Sequence, residues 1–431
     1  MREIGVGILG FGTVGAGTAE GLLRNGELLS RRLGVKVVLR RIADLDTTTD
    51  RGVAIPEGML VSDVQSVIND PEIDIIVELI GGTGVARKFI LAALDAGKSV
   101  VTANKKLLAE YGDEIFSKAE AKGVDIYFGA AVGGGIPIIR VLREGLAGNQ
   151  IRSIDGILNG TCNYILTRME NEGLPFDEVL KAAQTAGFAE ADPTLDIDGW
   201  DTAHKAAILA SLAYGFHLPL SEMSVSGIRG LHGADVRYAR ELGYRIKLLA
   251  MIRQHGDQVE ARVHPTLVPI GSMLGSVSNV FNAVLVNGDM SDQTLYYGRG
   301  AGRAPTASTV VGDIGDLARN IASGKPRYPR ALAKKEGVLP TVRPEGECES
   351  RFYLRVLLKD EAGTFGKLTT ILGAQGVNIR AASQREEPSD SSFVPVVVLT
   401  NAAREDAMAR AVEQIKQASI AKGEPVLLRM L

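Results

Sequence analysis

Short apolar runs alternate with helix-like stretches over the first 130 residues. The runs lie at residues 4–9, 36–43, 73–80, 99–102 and 124–128. Apolar runs of this length, separated by stretches long enough for a crossover helix, are typical of parallel strands covered on both faces. The pattern predicts an α/β domain with a doubly wound parallel sheet over residues 1–130.

A glycine-rich turn follows the first predicted strand directly, and a helical pattern follows the turn over residues 13–23. Between a strand and a helix, such glycines permit the turn itself, the approach of pyrophosphate to the backbone, and close packing of the helix on the strand. The free N–H groups at the start of the helix favour phosphate. The alternative is a tight structural turn. We predict a Rossmann-type dinucleotide site that comprises Gly10, Phe11, Gly12, Thr13, Val14 and Gly15.

The pattern changes after residue 130, where the glycine-rich stretch 132–137 ends the alternation. Strand-like and helix-like segments then mix, with strands predicted at residues 151–158, 258–263 and 280–286 and helices at residues 164–172, 176–186 and 201–214. We expect a mixed α+β domain for substrate binding and dimerisation over residues 131–304. A helix near residues 305–322 is expected to return to the first domain.

The last part of the chain follows a linker rich in proline and charge at residues 325–349. Residues 350–431 have the order βαββαβ, which is typical of a ferredoxin-like fold. The segments 357–366 and 376–379 resemble an ACT domain, a small regulatory module that often binds amino acids between paired copies. The alternative is a dimerisation module that binds no ligand.

Composition narrows the class of protein. The 431 residues exceed what one hydrophobic core usually serves, so two or three domains are expected. A formal charge of −3 lacks the basic excess that binding to nucleic acid requires. No apolar run approaches the roughly 20 residues that span a bilayer, and no signal-peptide pattern is present, so we expect a cytoplasmic protein without membrane contact. The two cysteines, Cys162 and Cys348, are expected to be free thiols.

Five carboxylates lie between residues 190 and 201: Glu190, Asp192, Asp196, Asp198 and Asp201. Only residues 196–199 match a fragment of a calcium-binding loop, so these carboxylates do not predict a metal site. A solvated acidic loop is the general alternative.

The fifth carboxylate, Asp201, is paired with a lysine. Asp201 and Lys205 lie four residues apart on one predicted helix, so their side chains share a face. The apolar run at residues 206–210 indicates that this helix is buried. A buried lysine beside a carboxylate suits proton transfer, because its pKa is easily shifted. The alternative is an ordinary surface ion pair.

Two further charged positions follow predicted strands. Lys105 follows the strand at residues 99–102, and ligands of open α/β sheets bind beyond the carboxyl ends of strands. A helix-start lysine in solvent is the alternative. Asp44 follows the strand at residues 36–43, where a carboxylate binds the ribose hydroxyls of NAD and repels the phosphate of NADP. Arg40 could instead pair with that phosphate, so NAD is favoured while NADP, or use of both, stays open.

Several of these segments together resemble homoserine dehydrogenase. The matching segments are residues 10–15, 102–106, 131–137, 157–161, 187–193, 196–199 and 201–205. They follow one another over roughly residues 4–320, and the ACT-like region fits the long bacterial monofunctional form. The resemblance implies NAD(P)-dependent interconversion of L-homoserine and L-aspartate 4-semialdehyde, a step towards threonine, methionine and isoleucine.

The resemblance also implies roles for individual residues. Lys205 is the implied proton donor and acceptor, Asp201 orients it, and Lys105 lies between nicotinamide and substrate. The implied substrate-binding residues are Glu190, Asp196, Gly160 and Thr161. Besides the glycine turn, Arg40, Asp44 and Lys105, the implied cofactor-binding residues include Gly187 and Gly302. A homodimer or homotetramer is expected, with an amino acid such as threonine as effector at the ACT domain.

Two positions depart from the family pattern. The family usually has glutamate where this chain has Gly129, at a segment that resembles a sodium site built from the main-chain carbonyls of Val132, Gly134 and Ile136. Cys162 stands where threonine is more frequent, and no histidine motif nearby supports a thiol nucleophile.

Two other functions stay open at this point. The chain could be a non-catalytic amino-acid sensor in which the ACT region is the working part. It could also be a dehydrogenase for another small amino-acid aldehyde, because Glu190 and Asp196 favour an ammonium-bearing substrate but do not measure its length.

Overall fold

The computed structural model describes residues 2–324, 337–384 and 392–431. Part of the predicted linker, residues 325–336, therefore lies outside the described residues. The chain divides into two units. The first consists of Met1–Gly160, Ala203–Ser221 and Val280–Pro340, and the second of Thr161–Thr202, Glu222–Asn279 and Thr341–Leu431.

The described residues form eighteen strands, numbered β1 to β18 in chain order. They span Glu3–Leu9, Lys36–Ala43, Leu60–Val61, Ile75–Glu78, Ser99–Thr102, Ile126–Tyr127, Ile151–Ile157, Ser224–Val225, Tyr244–His255, Gln258–Pro269, Phe281–Gly288, Asp292–Arg299, Thr341–Val342, Glu349–Lys359, Ile379–Gln384, Phe393–Thr400, Ala403–Arg404 and Ala421–Met430.

Thirteen α-helices, α1 to α13, are present in the same described residues. They span Thr13–Leu33, Val64–Ile68, Gly84–Asp95, Lys105–Lys122, Ile138–Arg140, Gly160–Glu172, Phe176–Thr185, Thr194–Ile197, Trp200–Tyr214, Gly233–Glu241, Arg303–Ser323, Thr364–Ala374 and Glu405–Gln417. None of these helices is both long and apolar enough to cross a membrane.

The first unit is built on a sheet of six parallel strands in the order β3-β2-β1-β4-β5-β6. This order is that of a dinucleotide-binding Rossmann sheet, and it confirms the predicted fold class of residues 1–130. Ile8 in β1 lies beside Ile42 in β2 and Val77 in β4, and all three are fully buried. Apolar strands covered on both faces therefore form the core of this unit, as the periodicity predicts.

Helix α11 packs against α1 on this sheet. A Cβ atom at Gly17 of α1 would lie 2.9 Å from Cγ of Arg303 and 3.1 Å from Cβ of Ala307. A glycine at position 17 therefore allows the two helices to approach closely. Val310 and Ile314 of α11 are fully buried in the core that this contact closes.

The first unit also contains an antiparallel group of strands in the order β12-β11-β7. Ala283 in β11 pairs with Ile157 in β7, and Phe281 pairs with Arg299 in β12. The sequence analysis did not predict β12, because none of its residues is buried and it lacks an apolar face.

The second unit contains strands in the order β9-β10-β18-β14-β16-β15. Strands β9 and β10 pair antiparallel over twelve residues each, well beyond the predicted strand at residues 258–263. Pro265 and Pro269 lie within β10. Because proline is uncommon inside a strand, the strand predicted from the sequence ended before Pro265.

The C-terminal part of the second unit has the predicted βαββαβ order, formed by β14, α12, β15, β16, α13 and β18. Its four strands adjoin in the order β18-β14-β16-β15, which is a ferredoxin-like sheet and confirms that prediction. Phe352, Leu368, Val398 and Met408 are fully buried in its core.

Candidate active site

The glycine turn after β1 has the geometry of a phosphate-binding loop. Gly10 has a φ of 98°, and a Cβ atom there would lie 2.8 Å from the Leu79 carbonyl carbon. A Cβ atom at Gly15 would overlap the Gly10 carbonyl, whereas one at Gly12 would meet no atom within 4 Å. Helix α1 starts after Gly12 with no side-chain cap. Its first N–H groups therefore face the space that Gly12 leaves open, and this cradle fits a pyrophosphate.

Asp44, directly after β2, is bonded to the same turn. Its Oδ2 accepts the Phe11 N–H at 2.5 Å, and its Oδ1 accepts the Asp46 N–H at 2.9 Å. The half-buried carboxylate is thus fixed beside the turn. Arg40 has its guanidinium 2.9 Å from Glu3 Oε2, so it is engaged within the sheet by an ion pair.

Lys105 is the first residue of α4, and a network at the ends of β4 and β5 fixes its position. The fully buried Glu78 accepts the Thr102 hydroxyl at 2.7 Å and the N–H of Ile80 at 2.9 Å. The Asn104 side chain caps α4 by accepting the Leu107 N–H at 3.1 Å. Sequence analysis missed Glu78. The sequence did contain a signal for it, since Glu78 is a glutamate at the end of an otherwise apolar strand.

Lys205 is buried on α9, with 8% of its surface exposed, and Asp201 lies one helical turn earlier with 6% exposed. The prediction that this helix is buried is therefore correct. Lys205 Nζ donates to the Leu158 carbonyl at 2.7 Å, directly after β7. The ammonium group is thus held two residues before Gly160.

Two glycines of the first unit lie at helix starts. Gly160 begins α6, and a Cβ atom there would lie 2.8 Å from the Val280 carbonyl oxygen. Gly302 caps α11 with a φ of 118°, and its carbonyl accepts the Thr306 N–H at 3.1 Å. A side chain is disfavoured at both positions, by space at Gly160 and by backbone conformation at Gly302.

In the second unit, Thr161 and the residues after α7 are linked by a hydrogen bond. The Thr161 hydroxyl donates to the Phe188 carbonyl at 2.7 Å. Gly187 has a φ of 73°, which allows the chain to leave α7, and Gln184 Nε2 donates to the Glu190 carbonyl at 3.1 Å. Glu190 itself is exposed.

The remaining carboxylates of the acidic segment differ in role. Asp198 forms an ion pair with Arg229 at 2.7 Å, and Asp192 accepts the Thr194 N–H at 3.1 Å. These bonds stabilise the loop itself. Asp196 is half-buried in the middle of this segment, on the short helix α8. Among the described residues, no group of three or more His, Cys, Asp or Glu side chains is arranged to hold a metal ion.

Both cysteines are thiols outside any disulfide, as predicted, and both are buried. The Cys162 thiol donates to the Asp196 carbonyl at 3.2 Å. Burial raises the pKa of the Cys348 thiol to about 12. A buried thiol bonded to a carbonyl does not suit a nucleophile, because the thiolate is the reactive form.

The segment that resembles a sodium site has an acidic side chain beside Gly129. The Asp313 carboxylate accepts the Gly129 N–H at 2.8 Å, and burial raises the pKa of Asp313 to about 7. The Gly134 carbonyl accepts the Thr309 hydroxyl at 2.7 Å. A carboxyl group from α11 thus lies next to the position where the family has glutamate.

Family models match three parts of the chain. A model described as homoserine dehydrogenase, NAD binding domain, matches residues 10–129, and one described as homoserine dehydrogenase matches residues 137–314. The ACT domain model matches residues 352–417.

Relatives match over almost the whole chain. Homoserine dehydrogenase of Neisseria gonorrhoeae is 45% identical over 432 residues, covering 100% of this chain and 99% of the relative. The homoserine dehydrogenase of Bacillus subtilis is 38% identical and covers 93% of this chain and 92% of its own length.

Solved structures show the same similarity. A homoserine dehydrogenase from Thiobacillus denitrificans has a TM-score of 0.94 at 43% identity, covering 100% of this chain and 99% of its own. A hyperthermophilic archaeal homoserine dehydrogenase in complex with NADPH has a TM-score of 0.63 at 29% identity, covering 76% of this chain and 99% of its own.

Proposed function

The chain belongs to the homoserine dehydrogenase family, and we propose how its own residues carry out the reaction. Members interconvert L-homoserine and L-aspartate 4-semialdehyde with NAD(P). The dinucleotide supplies or accepts the hydride, and the protein supplies placement and the proton. One observation carries the proposal: the buried Lys205 ammonium is held at Leu158, two residues before Gly160.

Lys205 donates a proton to the aldehyde oxygen during reduction and accepts it from the alcohol during oxidation. Asp201, one turn earlier on α9, orients the ammonium group. Lys105 lies between nicotinamide and substrate and stabilises negative charge on the reacting oxygen. The bonds of Glu78 and Asn104 support this role, because they fix the start of α4.

The charged groups of the substrate determine how it binds. Glu190 and Asp196 hold the substrate ammonium, because a small zwitterion needs fixed carboxylates to orient it. Gly160 and Thr161 contribute main-chain and hydroxyl contacts. The exposure of Glu190 supports this assignment, since its carboxylate is accessible to a ligand.

The dinucleotide is held by the turn from Gly10 to Gly15, with Gly187 and Gly302 lining its cleft. Asp44 favours NAD, because its carboxylate is fixed beside the turn and repels a 2′-phosphate. Arg40 is paired with Glu3, which weakens its case as the phosphate ligand of NADP. An archaeal relative was solved in complex with NADPH, so the proposal includes use of both cofactors.

An Asp44→Asn variant tests the cofactor preference. The amide still accepts the Phe11 N–H but lacks the charge, so the ratio of kcat/KM for NAD over NADP should fall about tenfold. Asp50→Asn, in the same loop, is the control and should leave the ratio unchanged. An unchanged ratio in Asp44→Asn removes Asp44 from cofactor selection.

A monovalent cation is proposed at the carbonyls of Val132, Gly134 and Ile136. The neighbouring Asp313 supports a cation there, because above its raised pKa of about 7 it carries the negative charge that Gly129 lacks. Activity in sodium chloride should exceed activity in choline chloride at equal ionic strength. Equal activities would contradict the cation site.

The ACT domain and the mixed second domain both suit pairing between copies of the chain. We place the protein in the cytoplasm as a homodimer or homotetramer whose ACT domain binds an amino acid such as threonine. Millimolar threonine should inhibit turnover. Insensitivity to threonine would support a dimerisation role for the ACT domain instead.

The decisive experiment follows absorbance at 340 nm with purified protein, L-aspartate 4-semialdehyde, and NADH or NADPH in turn. Turnover with at least one dinucleotide is expected. Absence of turnover with both would overturn the proposed function and favour the amino-acid sensor.

A further inference from the structure

Residues 224–229 of the second unit, here the connector segment, link strand β10 to helix α8 of the acidic segment. The first two residues form β8 and pair parallel with β10. The Ser226 N–H extends this pairing by donating to the Val263 carbonyl at 2.7 Å. The Ile228 N–H donates instead to the Ile197 carbonyl of α8, also at 2.7 Å. The connector segment is therefore attached to the sheet at one end and to α8 at the other.

Both backbone and side chain attach the connector segment to α8. A Cβ atom at Gly227 would lie 1.9 Å from the Ile197 carbonyl oxygen, so glycine is needed for the two backbones to approach this closely. The Arg229 guanidinium donates twice to the Asp198 carboxylate, at 2.7 and 3.1 Å. Helix α8 has only four residues, too few for a stable helix by itself. Contacts with the connector segment therefore help to fix the position of Asp196 on this helix.

The other end of the connector segment is bonded towards the ACT domain. The Ser224 hydroxyl donates to Glu345 Oε1 at 2.6 Å. The Arg429 guanidinium of β18 lies 3.4 Å from the Glu345 carboxylate and 2.8 Å from that of Glu405. Glu405 is the first residue of α13, a helix of the ACT domain. Alternating charges thus lead from the connector segment to this helix.

Arg262 attaches β10 to the same helix. It pairs with Ser224 where β8 and β10 adjoin, and only 2% of its side chain is exposed. Its guanidinium donates to Glu260 at 2.6 Å, to Ser350 Oγ at 3.1 Å and to the buried Glu405. Breaking a buried ion pair is costly, because it leaves a charge without compensation. The strand that carries the connector segment is therefore firmly attached to α13.

These contacts give the ACT domain a part in placing the acidic segment. Building on the proposed function, in which Asp196 binds the substrate ammonium, we propose that Ser224 and Arg229 are positioning residues for the substrate. They act through α8. A displaced Asp196 weakens substrate binding, so their effect falls on the KM of the aldehyde and not on kcat. A change in the ACT domain reaches the substrate through the same contacts, and this coupling is reciprocal.

Steady-state kinetics of two variants test the positioning role. Arg229→Gln removes the ion pair with Asp198, and Ser224→Ala removes the bond to Glu345. Each should raise the KM for L-aspartate 4-semialdehyde about three- to fivefold, as expected for one surface ion pair or one hydrogen bond. The kcat and the KM for the dinucleotide should stay at their wild-type values. Ser224→Thr keeps the hydroxyl and suits a strand, so it should restore the wild-type KM.

Hydrogen exchange provides a second measurement that does not depend on turnover. In both Arg229→Gln and Ser224→Ala, the amides of residues 194–199 should exchange several-fold faster than in wild type, because α8 opens more often. Ser276→Ala is the matched control, since the Ser276 hydroxyl donates to the Met273 carbonyl at 2.7 Å within its own loop. This control should leave both the KM and the exchange of residues 194–199 unchanged.

The possible outcomes separate this inference from the proposed function. Wild-type KM in both variants would overturn the positioning role while the dehydrogenase function stands. A response in Arg229→Gln alone would overturn the link to the ACT domain. Faster exchange throughout the second unit, β9 included, would assign both residues to the fold and also overturn the inference. Absence of turnover in wild type would overturn the proposed function, whereas the exchange of residues 194–199 would still test the attachment of α8.

Discussion

Two buried lysines, one in each unit, differ in what surrounds them. Lys205 lies on α9 with Asp201 one turn earlier, and its ammonium is held at Leu158. Lys247 lies on β9 with 1% of its surface exposed, and its ammonium donates to Asn163 Oδ1 at 3.0 Å and to the Val277 carbonyl at 2.6 Å.

Burial alone does not distinguish a catalytic lysine from a structural one. Desolvation lowers the pKa of Lys247 to about 8, which is the kind of shift often taken as a mark of function. However, two acceptors inside the second unit, Asn163 Oδ1 and the Val277 carbonyl, bind the Lys247 ammonium, as expected for a structural lysine. Lys205 differs because its helix also carries Asp201 and because its ammonium lies beside the Gly160 loop. The loop and the carboxylate, more than the burial, support the proposal that Lys205 is the catalytic lysine.

The largest expected effect tests this contrast on activity. Lys205→Met should lower kcat at least about 100-fold, because loss of a proton-transfer group typically costs 10² to 10⁴ in rate. Cofactor affinity should stay within about threefold of wild type, measured by calorimetry, since the dinucleotide turn is untouched. Lys247→Met is the matched control, with kcat expected to change less than about twofold. Wild-type turnover in Lys205→Met would remove Lys205 from the mechanism.

The next effect concerns stability at alkaline pH. Between pH 8 and 10.5 the native state binds fewer protons at Lys247 than the unfolded state, so this lysine makes stability rise with pH. Relative to Lys247→Met, the free energy of unfolding of wild type should increase by about 3 kcal/mol across this range. Urea titrations of both proteins at several pH values measure the difference. Parallel curves would show that Lys247 titrates as it does in solvent.

A smaller effect is expected on stability at neutral pH. Lys247→Met removes one hydrogen bond to the Asn163 side chain and one to the Val277 carbonyl, which should lower the free energy of unfolding by about 1 to 3 kcal/mol. Chemical denaturation at pH 7 measures this loss. A more stable variant would indicate that desolvation of the ammonium outweighs its hydrogen bonds.

The smallest effect comes from a carboxylate that acts on Lys247 through its charge. Glu170 raises the pKa of Lys247, whereas burial and Arg245 lower it. Glu170→Gln should therefore move the alkaline rise in stability to lower pH by a fraction of a unit. Glu172→Gln, two residues away and paired with Arg168, is the control and should leave the rise in place. A shift to higher pH would contradict the assigned role of Glu170.

Features that depend on neighbours in sequence could be predicted. The turn from Gly10 to Gly15 follows β1 and starts α1, and the pair of Asp201 and Lys205 lies on one helix, so periodicity and spacing were sufficient. The C-terminal βαββαβ order was predicted for the same reason.

Features that depend on distant partners could not be predicted. Glu78 is defined by its bond to Thr102 in the adjacent strand. The position of Lys205 could be predicted, but its bond to Leu158, 47 residues away, could not. The connector segment shows the same limitation, because only the fold brings Gly227 close to the Ile197 carbonyl. Strand β12 has no buried face, so its pattern gave no indication of a strand.

The packing of α1 against α11 has a consequence for synthesis on the ribosome. Helix α1 ends at Leu33, whereas α11 spans Arg303–Ser323. At about 5 to 20 residues per second, roughly 15 to 60 seconds separate the emergence of the two helices. The face of α1 at Gly17 therefore lacks its partner helix while most of the chain is translated. Apolar residues such as Val310 and Ile314 reach the core of the first unit only after this interval.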